Sequence, residues 1–137
     1  MKVVIDTNVL VSGFLNPHNP PGALVLYAAE GRLELCYDAR ILSEYREVLL
    51  RPAFGFKTDA IDDFLVQIES EGHLVASHPL SERLPDRSDE PFLEVALTAK
   101  TPYLITGNLK HFPKVACRDV SVISPAAFLD ILRKTEL

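Results

Sequence analysis

The amino-acid sequence predicts an α/β fold: a three-layer α/β/α sandwich whose central sheet is mainly parallel. The first observation is that Val3, Val4 and Ile5 are consecutive apolar, β-branched residues. Such a run without polar alternation is typical of a strand that is covered on both faces, as in parallel sheets. The second observation is that strand-like and helix-like segments alternate along the chain, which is the pattern of strand–helix–strand units.

Each element is predicted from its own local pattern. The strands are short apolar segments, and they comprise residues 3–5, 33–37, 73–76, 103–106 and 120–123. The helices show apolar residues at helical spacing, and with their N-caps they comprise residues 23–30, 38–50, 58–71, 90–99 and the segment from residue 124 onward. Residues 9–15 predict a short helix or turn, and the prolines within residues 16–22 predict a loop. Asp38, Thr58 and Ser124 are expected to cap their helices.

The composition predicts one globular domain that comprises residues 1–137. Hydrophobic residues make up 47% of the chain and charged residues 24%. No apolar stretch approaches the ~20 residues that cross a bilayer, and no leader is recognised at Met1, so we expect a cytoplasmic protein without membrane contact. Cys36 and Cys117 share no metal-ligand spacing and are expected to be buried free thiols.

The net charge of −5 restricts the ways in which the protein could bind nucleic acid. A protein that binds only by neutralising phosphates is normally basic, so a plain nucleic-acid-binding module is disfavoured. A nuclease is disfavoured less strongly, because carboxylates that hold divalent cations are themselves acidic.

Three carboxylates lie beside predicted apolar elements. Asp6 directly follows the first strand, at the edge of the sheet where ligands bind in parallel α/β folds. Glu44 borders the apolar face of the helix that Asp38 caps, and Asp89 begins the helix at residues 90–99. Simpler alternatives stay open: a helix-cap role for Asp6 and Asp89, and an ordinary solvated position for Glu44.

Polar residues also follow the strand at residues 103–106, namely Thr106, Asn108 and His111. If this strand neighbours the first strand, both sets of side chains share one edge of the sheet. Carboxylates gathered there repel one another unless a cation compensates, and Mg²⁺ is the expected ion because it prefers oxygen ligands. Such an ion would activate a water molecule and stabilise the charge that develops at phosphorus. Alternatively, His111 belongs to the surface, and Thr7 and Thr106 only satisfy backbone groups.

Together these segments resemble the PIN domain, and more narrowly the bacterial and archaeal PIN-family toxins related to VapC-like ribonucleases. The matching segments follow the family's order and span nearly the whole chain. They are VIDTNVLVS at residues 4–12, LSEYREVL at 42–49, RP at 51–52, SDEPFLEVA at 88–96 and LITGNLKHF at 104–112.

The resemblance implies a metal-dependent endoribonuclease that acts on single-stranded RNA, with Mg²⁺ or Mn²⁺ held by an acidic cluster. By position, three of the family's acidic residues correspond to Asp6, Glu44 and Asp89. The polar residues that follow the first acid and end the later strand correspond to Thr7, Asn8 and Thr106. The resemblance further implies the toxin of a toxin–antitoxin pair, a homodimer, and a cognate antitoxin whose chain occupies the acidic groove.

The sequence departs from the family's pattern at the fourth acid. Many relatives carry an aspartate where Asn108 stands or, depending on the alignment, where His111 stands, so three carboxylates remain here, enough for one Mg²⁺ with waters. Asn108 could supply a carbonyl oxygen or position a water, and Lys110 or His111 could contact the scissile phosphate. Asp86 is a reserve acid in the preceding loop.

Two other classes of function compete with the nuclease. One is a catalytically weak PIN domain that acts as an RNA- or protein-binding regulatory module, with Asn108 marking the lost ligand. The other is different phosphate chemistry on a similar sheet, and it is disfavoured. A haloacid-dehalogenase-like phosphatase needs a second aspartate where Asn8 stands, and a phospho-accepting receiver domain needs an acidic pair where only Asp6 is present.

Overall fold

A five-stranded, all-parallel sheet forms the centre of the protein in the computed structural model, which describes residues 1–136. The strands are β1 (Lys2–Ile5), β2 (Glu34–Tyr37), β3 (His73–Leu74), β4 (Tyr103–Ile105) and β5 (Ser121–Ile123). Their order across the sheet is β3-β2-β1-β4-β5. The central strand β1 carries Val3, Val4 and Ile5, which are completely buried. The predicted α/β sandwich with a parallel sheet is confirmed.

Helices connect and cover the strands. Within residues 1–136 they are α1 (Thr7–Leu15), α2 (Pro20–Ala29), α3 (Ala39–Leu49), α4 (Thr58–Glu71), α5 (Glu90–Thr98), α6 (Lys114–Cys117) and α7 (Pro125–Glu136). Helix α5 packs on β1, β2 and β4, whereas α3 and α4 pack on β2. None of these helices has the length and apolar character that a bilayer-crossing segment requires. The short helix α6 is an addition to the predicted elements.

Two of the three expected N-caps are present. The Asp38 carboxylate accepts a hydrogen bond from the backbone N–H of Ile41 at 3.0 Å, and the Ser124 hydroxyl accepts one from the N–H of Ala127 at 3.2 Å. The predicted cap at Thr58 is wrong, because Thr58 is the first residue inside α4 and the preceding residue makes no side-chain capping bond.

The predicted loop at residues 16–22 is too long, because α2 begins at Pro20. The Asn19 side chain caps this helix by accepting a hydrogen bond from the N–H of Gly22 at 2.8 Å. Pro20 and Pro21 lie in the first turn, where the missing N–H of proline has no helical partner to lose. The prolines therefore start a helix here and do not break one.

The order of the strands creates a switch point between β1 and β4. From β1 the chain continues to β2 on one side, and it returns later to place β4 on the other side. In parallel α/β sheets such a point leaves a crevice at the carboxyl edge in which ligands bind. Because Ile5 is in register with Ile105, Asp6 and Thr106 follow these strands side by side. The sheet therefore brings two polar side chains from distant parts of the chain to the crevice.

Candidate active site

Asp6 lies at the carboxyl end of β1 and is only 5% exposed. Its backbone N–H donates to the carbonyl oxygen of Ile105 at 2.9 Å, which extends the β1–β4 pairing by one residue. Its carboxylate accepts a hydrogen bond from Thr106 Oγ1 at 2.7 Å. Although Asp6 occupies the N-cap position of α1, its side chain makes no capping hydrogen bond. The alternative that Asp6 serves only as a cap is therefore wrong.

Glu44 reaches the same edge from α3. Its carboxylate accepts a hydrogen bond from the hydroxyl of Thr7, the first residue of α1. The next residue, Tyr45, is fully buried and donates its phenolic hydrogen to the carbonyl oxygen of Ile5. This bond connects α3 to the end of β1 and so fixes the position of Glu44 relative to the sheet. Glu44 is partly exposed, as its place at the border of the apolar face predicts.

Asp89 ends a 3₁₀ turn, Arg87–Asp89, and is followed directly by α5. It is 8% exposed, and its carboxylate does not cap α5. The alternative of a helix-cap role is therefore wrong for Asp89 as well. Capping in this turn comes from Asp86, which accepts hydrogen bonds from the backbone N–H and the hydroxyl of Ser88.

The three carboxylates line one open cleft of about 470 Å³. They come from the end of β1, the middle of α3 and the start of α5, so only the fold brings them together. The remaining polar lining consists of Thr7, Asn8, Ser12 and Ser88, and the apolar lining of Val11, Leu15, Val48 and Phe54.

The cleft is electrostatically unfavourable for its own carboxylates. The pKa of Asp6 is raised from 3.8 to about 6, chiefly because the carboxylate is buried; the charges of Asp89 and Glu44 contribute to the rise, and the hydrogen bond from Thr106 opposes it. Burial also raises the pKa of Asp89, as does the charge of Asp86, while His111 opposes this rise. Buried carboxylates that repel one another form a site at which a cation is electrostatically favourable.

Asp89 also belongs to a second group of potential metal ligands. One ligand atom each from Asp86, Asp89 and His111 lies within 4.8 Å of the other two, and His111 Nδ1 is 3.0 Å from Asp89 Oδ2. Among residues 1–136 the carboxylates of Asp6, Glu44 and Asp89 line the same cleft, but they do not form a group of three ligand atoms that all lie within 4.8 Å of one another. Asp89 therefore links the carboxylates of the cleft to an Asp–His pair beside them.

The remaining predicted site residues differ in whether they line the cleft. Asn8 lines the cleft, and its amide oxygen lies near Gly107. Asn108 and Lys110 are exposed and do not line the cleft. Asn108 contributes through its backbone, because its N–H donates to Thr106 Oγ1 at 3.0 Å.

Sequence reasoning missed two acidic residues that hold the loop beside the site. Glu90 accepts hydrogen bonds from the N–H of Leu84 and from Arg83, and Glu94 accepts them from the N–H of Leu80 and from Arg40. Both glutamates are nearly buried. Their spacing of four residues puts them on one face of α5, which was the available signal. These hydrogen bonds attach residues 78–88, the segment that contains Asp86, to α5.

Comparison with known proteins agrees with this architecture. No curated protein matches the chain. The family model of the PIN domain matches residues 2–110, a span that includes all three carboxylates of the cleft and the strands β1 to β4. With more than half of its length matched, this chain belongs to the PIN domain family.

Proposed function

We propose that this protein is a metal-dependent endoribonuclease that hydrolyses phosphodiester bonds of single-stranded RNA. PIN domains are generally nucleases, and nucleases are hydrolases. The observation that carries the proposal is the convergence of Asp6, Glu44 and Asp89 on one cleft at the switch point of the sheet.

A divalent cation fits the donor set of the cleft. Asp6, Glu44 and Asp89 offer oxygen ligands only, which suits Mg²⁺ or Mn²⁺, and the cation would offset the burial and the repulsion that together raise the pKa of Asp6. These three residues would hold the ion. When bound, it supplies the activation of water and the stabilisation of negative charge at phosphorus.

The chain's own residues orient the carboxylates for this task. Thr106 fixes one oxygen of Asp6 by donating to it, and Thr7 does the same for Glu44. When Nδ1 of His111 carries the hydrogen, it donates to Asp89 and holds that carboxylate, which leaves Nε2 for the metal ion, a water molecule or a phosphate oxygen. Such partners of metal ligands commonly change metal affinity or activity by 10- to 100-fold when they are removed.

The Asp86–His111 pair compensates for the missing fourth acid. Asn108 lacks a charge and is exposed outside the cleft lining, whereas Asp86 and His111 have ligand atoms within 4.8 Å of one of Asp89. We assign to them the ligand positions that the fourth acid supplies in relatives. An imidazole ligand suits Mn²⁺ better than Mg²⁺, so we expect Mn²⁺ to be the more effective ion.

The narrower biological role that we propose is the toxin of a toxin–antitoxin pair. It is supported by the resemblance of residues 4–12 and 104–112 to VapC-like ribonucleases. In this role an antitoxin chain would occupy the acidic cleft, and the protein would act in the cytoplasm as a homodimer.

A second candidate function is a catalytically weak PIN domain that binds RNA or protein as a regulatory module. The specific observation in its favour is Asn108, an uncharged and exposed residue where relatives carry an acid. In this case the cleft would bind its ligand without cleaving it.

An RNA cleavage assay tests the proposal. Purified wild type is incubated with a single-stranded oligoribonucleotide and Mn²⁺ or Mg²⁺, and the fragments are resolved by electrophoresis. We expect cleavage that EDTA abolishes, loss of cleavage in Asp89→Asn, and full activity in the exposed control Asp119→Asn. Binding without cleavage would favour the regulatory module. Equal rates in wild type and Asp89→Asn would overturn the assignment of the site.

A further inference from the structure

One wall of the acidic cleft is apolar and contains an aromatic ring, that of Phe54. Carboxylates that hold a cation need fixed polar neighbours, but they do not need an aromatic side chain beside them. An aromatic face next to a metal site does have a use in nucleic-acid chemistry, because every nucleobase can stack on it.

The hydrophobic core does not account for the position of Phe54. This residue ends the 3₁₀ turn Pro52–Phe54, none of whose residues is buried. Phe54 is partly exposed and, within residues 1–136, is not among the side chains packed against the core, whereas Phe56 is. Pro52 restricts the backbone at the start of the turn, and Gly55 ends it with a φ of 67°. The turn therefore presents the ring from a constrained backbone.

A series of contacting aromatic rings supports Phe54. Its ring stacks on that of Phe56, with centroids 5.5 Å apart and planes 14° apart. Phe56 in turn contacts Phe14 at 5.6 Å, and Phe14 meets the buried Phe64 edge-on at 5.2 Å. Because Phe64 belongs to the hydrophobic core, this series of rings is attached to the core. Only the outermost ring, Phe54, reaches the cleft lining.

We propose that Phe54 stacks on an unpaired nucleobase of the substrate and so positions the neighbouring phosphate over the carboxylates; this inference rests on the proposed function. Phe56 covers one face of the Phe54 ring, so the base would stack on the other face. A base inside a duplex has both faces covered by its neighbours, whereas an unpaired base can be splayed onto a protein ring. Phe54 thus selects single-stranded substrate.

Two cationic side chains flank residues 52–56 in the sequence. Their positive charges would attract the phosphates on either side of the stacked base. Arg51 precedes the turn and Lys57 follows Phe56, and both side chains are exposed. The ion pair of Arg51 with Glu47, at 3.5 Å, joins two exposed side chains and is weak. Lys57 makes no ion pair with another of the residues 1–136. In a chain with a net charge of −5, such local cations counter the repulsion of a phosphate backbone.

An abasic scan tests this inference in the full-length protein. A short single-stranded oligoribonucleotide is made with one base removed at each position in turn, and KM and kcat are measured with Mn²⁺. For wild type we expect one position next to the cut at which loss of the base raises KM about tenfold. Phe54→Leu should raise KM for the intact substrate by a similar factor and should no longer respond to removal of that base. Phe54→Trp should keep the response.

The matched control is Tyr27→Leu, which removes a partly exposed aromatic ring on α2 that does not line the cleft, and it should behave as wild type. The inference is overturned if wild type responds at no position, or if Phe54→Leu keeps the full abasic penalty. An unchanged KM in Phe54→Leu together with a lost dimer in size-exclusion chromatography would also overturn it, because the ring would then contact protein. If wild type cleaves no substrate, the proposed function fails first, and the stacking role fails with it.

Discussion

Thr106 donates a hydrogen bond to the carboxylate of Asp6 across 2.7 Å, and this bond joins the ends of two neighbouring strands that are 100 residues apart in the sequence. Because Thr106 is completely buried, water cannot replace its hydroxyl. The bond also lowers the pKa of Asp6 against the effects of burial and of the neighbouring charges. It therefore keeps Asp6 available as an anionic ligand.

We expect Thr106→Val to weaken Mn²⁺ binding by about 10- to 100-fold at neutral pH, because the pKa of Asp6 rises and its carboxylate loses its orientation. Calorimetric titration with Mn²⁺ measures the effect. The control is Thr58→Val, the same change at an exposed residue of α4 whose side chain caps nothing. Equal losses of affinity in both variants would contradict the role of Thr106.

Asp6→Asn should stabilise the metal-free protein at alkaline pH. Since the pKa of Asp6 is about 6 in the folded protein and its ordinary value is 3.8, the folded state binds the proton more tightly. Ionisation of Asp6 therefore lowers the free energy of unfolding as the pH rises through this interval. In EDTA we expect the variant to match wild type near pH 4 and to exceed it by about 2–3 kcal/mol at pH 8, measured by urea unfolding.

The exposed Asp62 provides the control for this measurement, because Asp62→Asn should show no such growth of the stability difference with pH. A stability difference between Asp6→Asn and wild type that stays constant from pH 4 to pH 8 would contradict the pKa assigned to Asp6.

Arg40 stabilises the junction between α3 and α5. Its guanidinium donates to the carboxylates of Asp38 and Glu94 at 2.7 to 2.9 Å, and both acids are nearly buried. Arg40→Gln leaves them without a cation, so we expect the free energy of unfolding in urea to fall by about 1–2 kcal/mol. Arg46→Gln breaks a half-exposed ion pair at 3.7 Å and should cost less than about 0.5 kcal/mol. Equal effects would contradict the bridging role.

His111 should set the preference between metals. Because a nitrogen ligand favours Mn²⁺ over Mg²⁺, we expect His111→Asn to lower Mn²⁺ affinity by about tenfold and to change Mg²⁺ affinity less. Competition between the two ions, followed by the electron paramagnetic resonance of free Mn²⁺, measures the ratio. His18→Asn, at an exposed position, serves as the control. An unchanged ratio of Mn²⁺ to Mg²⁺ affinity in His111→Asn would contradict a role of the imidazole as a metal ligand.

The parts of the site that follow from local pattern could be predicted from the sequence. The buried run of β1 places Asp6 at a carboxyl edge, and helical periodicity places Glu44 at the border of a buried face. The contact of His111 with Asp89 could not be predicted, because it depends on β4 lying next to β1 and on side-chain orientations. The sequence also could not distinguish a helix-capping role of Asp89 from a role in the cleft, because the same residues would begin the helix in either case.

Errors in the predicted elements have a similar origin. The prolines at the start of α2 fit the pattern of a loop as well as that of a helix start, and the Asn19 cap decides between the two. Phe54 has no sequence signal that separates it from Phe56, although one ring lines the cleft and the other packs on the core. Such distinctions depend on which face of a short turn meets the rest of the fold.

The contribution of Glu44 to metal binding is the sharpest test of a metal centre in the cleft, because Glu44 has a matched neighbour on the same helix. Glu47 is exposed and lies outside the cleft lining. In a calorimetric titration with Mn²⁺ we expect wild type and Glu47→Gln to bind with equal affinity, and Glu44→Gln to bind at least about tenfold more weakly. Absence of binding to wild type at millimolar Mn²⁺, or equal affinity in Glu44→Gln and Glu47→Gln, would contradict a metal centre in this cleft.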